Sequence, residues 1–287
     1  MDREIYALKE FYRENLFVSH NITRPRDYEM KSMHFHDGYE IWLSMSDGAK
    51  YVIENETYEA NRGALFLVNN MEMHKSIAPQ DCDFERFVVS FVPEYLVEYE
   101  NDEHSLLRIF TDKPQGGNYC ILLTEEQIDE FLKVIEMIQR FTTGDYYGKE
   151  QLKKHALAQL IILCNGYYNH AERFLVVETA MRLKPIIGYI REHIDESLSL
   201  LEIADKFYLS KMQLYRLFKT GTGMPPNEYI IMTRILKARP YLAEGMPIIK
   251  VCEMIGYSDE SHFIRTFKRV MGITPKQYGK LKMKSVQ

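Results

Sequence analysis

The C-terminal third of this 287-residue chain holds one pattern written twice. Arg216-Leu-Phe218-Lys219, then Gly223, Pro226 and Tyr229, returns as Arg265-Thr-Phe267-Lys268, Gly272, Pro275 and Tyr278, every matched letter displaced by 49 positions. One displacement kept over that many identities implies a single supersecondary unit built twice. Each copy is preceded by an apolar segment at helical spacing: Leu200, Ile203, Ala204 and Phe207 in the first, Ile248, Val251, Cys252 and Ile255 in the second. Breaks follow at Tyr208-Leu-Ser210 and at Gly256-Tyr-Ser258. Gly256 suits the left-handed position of a tight turn between helices. Ser210 with Gln213 predicts a capping box, and Ser258 or Asp259 the second cap. Short helices are expected over 211–219 and 260–270, so each copy is a helix, a short turn and a helix.

The second helix of each copy has two faces. Leu214, Leu217 and Phe218 point inward, matched by Phe263 and Phe267. Outward stand Lys211, Met212, Tyr215, Arg216 and Lys219, against Glu260, Ser261, Ile264, Arg265 and Lys268. That outer face is short, polar and mostly basic, the character of a surface that enters a major groove. Charge is divided accordingly. Residues 183–287 hold 17 Lys and Arg against 10 Asp and Glu, a net +7, whereas residues 1–182 hold 19 against 31, a net −12. The whole-chain value of −5 conceals a basic module joined to an acidic one.

These residues resemble the AraC/XylS-type transcriptional regulators over roughly residues 184–280. The resemblance rests on Ile203-Ala204, Leu214 to Lys219, Gly223, Tyr229, Arg234 and Ala238, and continues through Ile255-Gly-Tyr257, His262-Phe263, Arg265 to Lys268, Gly272 to Pro275 and Tyr278. It implies two helix-turn-helix subdomains joined by one long helix, from about Pro226 to Glu244. Their recognition helices would enter successive major grooves, about 34 Å apart. Carried over by position, the base-reading candidates are Met212, Tyr215 and Arg216 in the first unit, and Glu260, Ser261, Ile264 and Arg265 in the second. The two arginines lead, because a guanidinium bonds both acceptors of a guanine edge. A phosphate clamp or an intramolecular salt bridge is the alternative for either. Lys211, Lys219 and Lys268 are expected on phosphates. Glu260 either reads a cytosine amino group or caps its helix. Three positions depart from the family pattern: Pro240 inside the joining helix, where it is expected to kink or loosen it, Cys252 in place of an alanine, and Gly279 in place of a basic residue.

Ahead of this module, residues 28–92 predict short strands. Ile41, Leu43 and Met45 alternate with Glu40, Trp42 and Ser44, and Ala64–Val68 and Phe87–Phe91 look like buried strands. The segment His34-Phe-His36-Asp-Gly-Tyr-Glu40, with Gly48, Gly63 and His74, resembles the small β-barrel of the cupin superfamily, the usual sensor domain of these regulators. His34, His36, Glu40 and His74 stand at the ligand positions of metal-binding cupins, so a metal-dependent cupin enzyme with an appended DNA-binding module is the rival reading. The expected role is instead effector binding by His36, Glu40, Trp42 and His74, with no metal or other cofactor; Asp37-Gly38 interrupts the strand that would align the ligands. A flat aromatic beside hydrogen-bonding groups suits a carbohydrate or similar polar molecule. A satisfied histidine pair under a turn remains the plain alternative.

Two amphipathic helices should follow, with Ile128, Leu132, Ile135 and Ile138 on one face of the first and Leu152, Ala156, Leu160, Leu163 and Tyr167 on one face of the second. The expected organisation is therefore multidomain: a cupin-like barrel at 1–123, a helical dimerisation segment at 124–172, a linker at 173–182 and an all-α double helix-turn-helix domain at 183–287. Four scattered cysteines without a CxxC pair, no apolar run of membrane-spanning length and no signal-peptide layout point to a reduced, cytoplasmic chain. The resemblance implies a non-enzymatic activator that binds double-stranded DNA as a homodimer, answers a small molecule and meets RNA polymerase at the promoter.

Overall fold

The computed structural model describes residues 15–24, 30, 32–54, 56–99, 105–112, 120–170 and 183–284. They form two compact units, one chiefly His34–Val177 and the other chiefly Glu178–Gln287. The expected linker at 173–182 lies outside the described residues.

The first unit is β-rich. Its strands are β1 (Leu16–Thr23), β2 (Tyr39–Ser44), β3 (Ala49–Ile53), β4 (Glu56–Ala60), β5 (Ala64–Val68), β6 (His74–Ile77), β7 (Phe84–Phe91) and β8 (Cys120–Leu122). They make a five-stranded sheet in the order β1-β7-β2-β5-β8 and a three-stranded sheet in the order β4-β3-β6. All pairings are antiparallel. β2 lies at the centre of the larger sheet, and the pleat sends its alternate residues to opposite sides. Trp42 joins an aromatic core between the sheets with Tyr51, Tyr58, Phe66 and Phe84. Ile41 and Leu43 join a second core against two helices, α2 (Glu125–Thr143) and α3 (Lys149–His170), which follow a single helical turn, α1 (Arg108–Thr111).

The expected helix faces are the buried ones. Ile128, Ile135 and Ile138 of α2 are sealed, with Leu132 partly covered. Of the α3 set Ala156, Leu160 and Tyr167 are sealed and Leu152 and Leu163 partly covered, while Leu157, Ile161 and Cys164 join the buried side. A capping box starts α2: the Gln127 amide donates to Thr124 Oγ1, and the Thr124 amide to Gln127 Oε1. Strands β1 and β8 extend the sheet beyond the strands expected from the sequence.

The second unit is helical: α4 (Leu183–Glu192), α5 (Leu200–Lys206), α6 (Lys211–Thr222), α7 (Pro226–Ala243), α8 (Ile248–Met254), α9 (Glu260–Met271) and α10 (Pro275–Lys284). α7 joins the two halves and continues through Pro240, which falls in its last turn. Placed there, the missing donor costs one hydrogen bond near the helix end rather than in the middle. Gly279 also has a local reason: a Cβ there would stand 2.6 Å from the Leu242 carbonyl oxygen, so α10 crosses the end of α7 where only hydrogen fits. No helix is long and apolar enough to cross a membrane among the described residues.

Gly63 links the two halves of the β-rich unit's main sheet. Its amide donates to the Ser44 carbonyl and its own carbonyl accepts from the Leu123 amide, both at 2.9 Å. It holds φ at +86°, and a Cβ would lie 2.8 Å from Leu123 O. Gly63→Ala is therefore expected to destabilise the unit by about 1–2 kcal/mol from the left-handed backbone alone, with the clash added. Urea unfolding followed by Trp42 emission measures the change in midpoint.

Candidate functional site

The repeated letters become interpretable in the helical unit. Gly223 and Gly272 are left-handed C-caps, φ +78° and +75°, whose amides donate to the carbonyls of Lys219 and Lys268. Pro226 and Pro275 open the helices that follow. Tyr229 packs edge-on against Phe218 and Tyr278 against Phe267, with ring centroids 5.4 and 5.6 Å apart. Cap, start and aromatic pair are thus core architecture, made the same way in both copies.

Arg216 and Arg265 recur for a different reason, since both are exposed. Neither is ion-paired with another described residue, so the intramolecular salt bridge considered for them is absent there. Around Arg216, Lys211, Met212, Tyr215 and Lys219 are all exposed. Around Arg265, Glu260, Ser261 and Lys268 are exposed and Ile264 is half-buried. Helices α6 and α9 therefore each present the expected set of side chains on one stripe, exposed except for the half-buried Ile264. Lys219 also bonds its own chain, its ammonium donating to the Gly223 carbonyl at 2.9 Å.

Capping fixes the start of each stripe. Ser210 and Gln213 form the expected box at α6. At α9 the cap is Asp259, whose carboxylate accepts from the His262 amide at 3.1 Å. Ser258 and Glu260 do not make the cap bond. Glu260 sits in the first turn, where its charge complements the helix dipole.

In the β-rich unit the histidines converge. His34 and His74 exchange backbone hydrogen bonds at 3.0 and 2.9 Å, which brings the loop before β2 against the start of β6. His36 precedes β2 rather than lying on it, so it does not share a strand with Glu40 and Trp42. It meets Glu40 all the same: His36 Nε2 lies 3.2 Å from Glu40 Oε2, while the Tyr51 hydroxyl donates to Glu40 Oε1 at 2.8 Å. His74 Nε2 is 3.7 Å from the same Oε1. The carbonyls of Gly38 and Glu72 can only accept, so Nδ1 of His36 and of His74 donates to them. This turns both Nε2 atoms toward the carboxylate.

Burial opposes the Glu40 charge, but the His36 hydrogen bond and the charges of His74, His36 and His34 outweigh it, holding the carboxyl well below the usual carboxylate range. Burial, followed by the His74 and His36 charges, pushes the His34 imidazole well below its usual value. Trp42 is 2% exposed, packed against Tyr51, Phe66 and Phe84. The flat face expected to meet a ligand is thus part of the aromatic core behind the polar cluster.

The donor set fits a divalent cation of borderline hardness. His34, His36 and His74 bring ligand nitrogens within 4.8 Å of one another, and backbone carbonyls orient two of the rings, as outer partners of metal-bound imidazoles do. Those three would hold the ion with Glu40 beside them, and it would supply a positive centre for an oxygen-bearing ligand.

Truncating Glu40 would remove, within a buried site, the acceptor of the Tyr51 hydroxyl bond and the carboxylate that faces His36 Nε2. Glu40→Ala should cost about 1–3 kcal/mol, whereas Glu40→Gln keeps an acceptor for Tyr51 and should cost less. Chemical unfolding of the two variants against wild type gives the comparison; equal losses would mean that packing alone holds the site.

Two family models match the chain: an AraC-like ligand binding domain over residues 19–161 and a helix-turn-helix domain over residues 203–280. The HTH-type transcriptional activator RhaS of Escherichia fergusonii is 32% identical over 251 residues, covering 85% of this chain and 86% of that one. The HTH-type transcriptional regulator YdeC of Bacillus subtilis is 23% identical over 257 residues, covering 87% and 86%. The probable transcriptional regulator LumQ of Photobacterium leiognathi is 32% identical over 94 residues, 32% of this chain and 38% of that one. With the sensor and DNA-binding halves both matched, and a relative of that identity spanning most of its length, the chain belongs to the AraC family of transcriptional regulators.

Proposed function

We propose that this regulator is a bacterial transcription activator that reads two DNA blocks with α6 and α9 and is controlled by a polar small molecule, with a carbohydrate as the first class to test. What carries the reading is the pair of exposed stripes, centred on Arg216 and Arg265, that recur on two equivalent helices while their opposite faces are sealed. Arg216 and Arg265 read guanine edges, Met212, Tyr215, Ser261 and Ile264 contribute further base contacts, and Lys211, Lys219 and Lys268 meet phosphates. Glu260 stands at the end of its stripe and sets preference against a facing phosphate or for a cytosine amino group. The relative named an activator, RhaS, supports the same direction of control.

Effector recognition is assigned to His36, Glu40 and His74, with Trp42 as the aromatic wall behind them. A carboxylate flanked by imidazoles and a tyrosine hydroxyl offers alternating donors and acceptors, the pattern that hydroxyl-rich molecules satisfy. The protein acts as a homodimer through the α2–α3 helical segment, where the exposed Ile162 of α3 marks apolar surface facing away from the core. RNA polymerase is the partner at the promoter. The proposed domain plan keeps the sensor barrel at 1–123, the dimerisation helices at 124–172, the linker at 173–182 and the DNA module at 183–287, in the cytoplasm and without catalysis.

The two roles on α9 separate experimentally. Arg265→Ala should weaken specific binding by about 1–3 kcal/mol and relax preference at one base pair. Lys268→Ala should weaken specific and scrambled DNA alike and lower the salt slope by about one. Titrations of both DNAs at several salt concentrations check this; equal losses for the two variants on both DNAs would remove the distinction. Trp42 is the single tryptophan and packs behind the cluster, so a change in its emission across a metabolite panel would report effector binding.

A further inference from the structure

We propose that Arg234, working against Gly256, is a positioning residue that sets the spacing and phase of the two recognition helices, and so the number of base pairs between the two DNA blocks. The inference rests on the two-block reading above.

The repeat itself isolates the feature. Residues displaced by 49 positions build the two helix-turn-helix units alike, but Arg234 on the joining helix α7 corresponds to Met283 in the second copy. It therefore has no part in the architecture that the copies share. Its contacts lie instead at the junction between them. The Arg234 guanidinium donates from Nε to the Ile194 carbonyl at 3.0 Å and from Nη2 to the Glu196 carbonyl at 2.7 Å. Both carbonyls belong to the segment between α4 and α5, in the first subdomain. The same guanidinium stands over the Tyr257 ring, 5.5 Å from its centroid, in the turn of the second subdomain. One side chain thus grips both subdomains from the helix that joins them.

The two turns differ in how closely the junction presses on them. The left-handed residue of the first turn is Tyr208, φ +53°, and that of the second is Gly256, φ +73°. They are equivalent: the next residue, Leu209 or Tyr257, donates its amide to the carbonyl five positions back, Ala204 or Cys252. Tyr208 is 97% exposed, so that position tolerates a large side chain where nothing presses on it. At Gly256 a Cβ would lie 2.8 Å from the Asp195 carbonyl carbon and oxygen and 2.9 Å from Arg234 Nη2. The second turn needs a glycine because the first subdomain's backbone and Arg234 fill the space. Lys237, one turn along α7, adds an ion pair to Asp195 at 3.9 Å.

A helix alone leaves two flanking subdomains free to swing about its ends. A forked donor on two carbonyls, a cation on an aromatic ring and a backbone-to-backbone contact remove that freedom. One base pair shifts a DNA block by about 3.4 Å and a tenth of a turn, so a rigid junction distinguishes spacers that differ by one.

The test measures binding of the full-length protein to the two blocks recovered by selection from a random pool, with the spacer shortened by one, unchanged or lengthened by one. Wild type should lose about tenfold or more on either altered spacer, the cost of a misplaced base contact. Arg234→Ala should lose affinity mainly on the native spacer and bring the three values within about threefold of one another. Arg234→Lys keeps the charge but not the fork, and should behave like Arg234→Ala. Gly256→Ala, which pushes on Asp195 directly, should move the preferred spacer or flatten the preference, and Tyr208→Ala at the equivalent turn should leave it as in wild type. Affinity for a single block and thermal unfolding track the fold of each variant, and Gly256→Ala with Arg234→Lys decides the matter if Arg234→Ala does not fold.

Uniform loss on all three spacers, or a wild-type profile restored by lysine, would overturn the assignment and make Arg234 a stability or phosphate residue. Recovery of only one block from the pool would overturn the two-block reading itself.

Discussion

The β-rich unit depends on the alternation of one strand. β2 is buried on both faces, yet the two faces have different chemistry: Ile41 and Leu43 serve the helices, while Glu40, Trp42 and Ser44 serve the space between the sheets. A one-residue slip would exchange these sets, driving the Glu40 carboxylate into the apolar helix layer and two aliphatic chains into the polar cluster. Pairing on both sides prevents it. Trp42 stands opposite Phe66 on β5 and Val88 on β7, so the register is held by aromatic and branched neighbours as well as by the ladder. The histidine cluster is a consequence of this register. Glu40 is placed by β2, His74 by the start of β6, and His36 by the turn that leads into β2, with Tyr51 of β3 closing the site from the opposite sheet.

The helical unit follows a different logic, in which duplication does most of the work and its exceptions are informative. Identical caps, identical proline starts and identical Phe–Tyr pairs give two subdomains from one recipe. What a duplicated recipe lacks is any instruction for how the copies sit together. That instruction lies in contacts that the repeat does not reproduce. Arg239, buried in α7, donates to the Tyr278 hydroxyl at 3.2 Å, and Gly279 lets α10 approach the last turn of α7. Arg234 and Gly256 do the equivalent at the other contact. Family departures noted at Pro240 and Gly279 fall at this α7–α10 crossing, outside the recognition stripes.

Local signals were readable in the letters, and long-range pairings were not. The β2 alternation, both helix-turn-helix units, the Ser210 box and the left-handed Gly256 all follow from patterns spanning a few residues, and the structure has each of them. β1 was not anticipated because its partner β7 lies more than sixty positions away, and nothing within Leu16–Thr23 announces a strand edge. β8 is three residues long, too short for any periodicity. Asp37-Gly38 signals a break ahead of β2, and the structure has it; what the letters do not show is that the ring of His36 turns back across that break to reach Glu40. The choice between Ser258 and Asp259 as cap depended on one extra residue in the second turn, which spacing cannot resolve. Arg234 was visible only as a family letter. Its partners lie some forty residues upstream and about twenty downstream, and only the fold brings them together.

The energy scale of the polar cluster is well matched to control. A ligand shifts a regulator between two arrangements only through a difference in its affinity for them, and a tenfold shift requires about 1.4 kcal/mol. A hydrogen bond to a charged group contributes about 1.5–3 kcal/mol. One such bond to Glu40, made in one arrangement and not the other, is therefore sufficient, and a large apolar contact that is equal in both contributes nothing. Trp42, sealed in the aromatic core, could under the proposed assignment offer at most contact of that second kind. Glu40 differs because its carboxylate already has competing claims from His36, His74 and Tyr51. A ligand hydroxyl that takes one of these positions must displace a partner, and the displaced imidazole or phenol then redistributes the hydrogen bonds at the entry to β2. On the proposed effector assignment, discrimination between polar molecules of similar size would accordingly depend on which of these bonds each replaces.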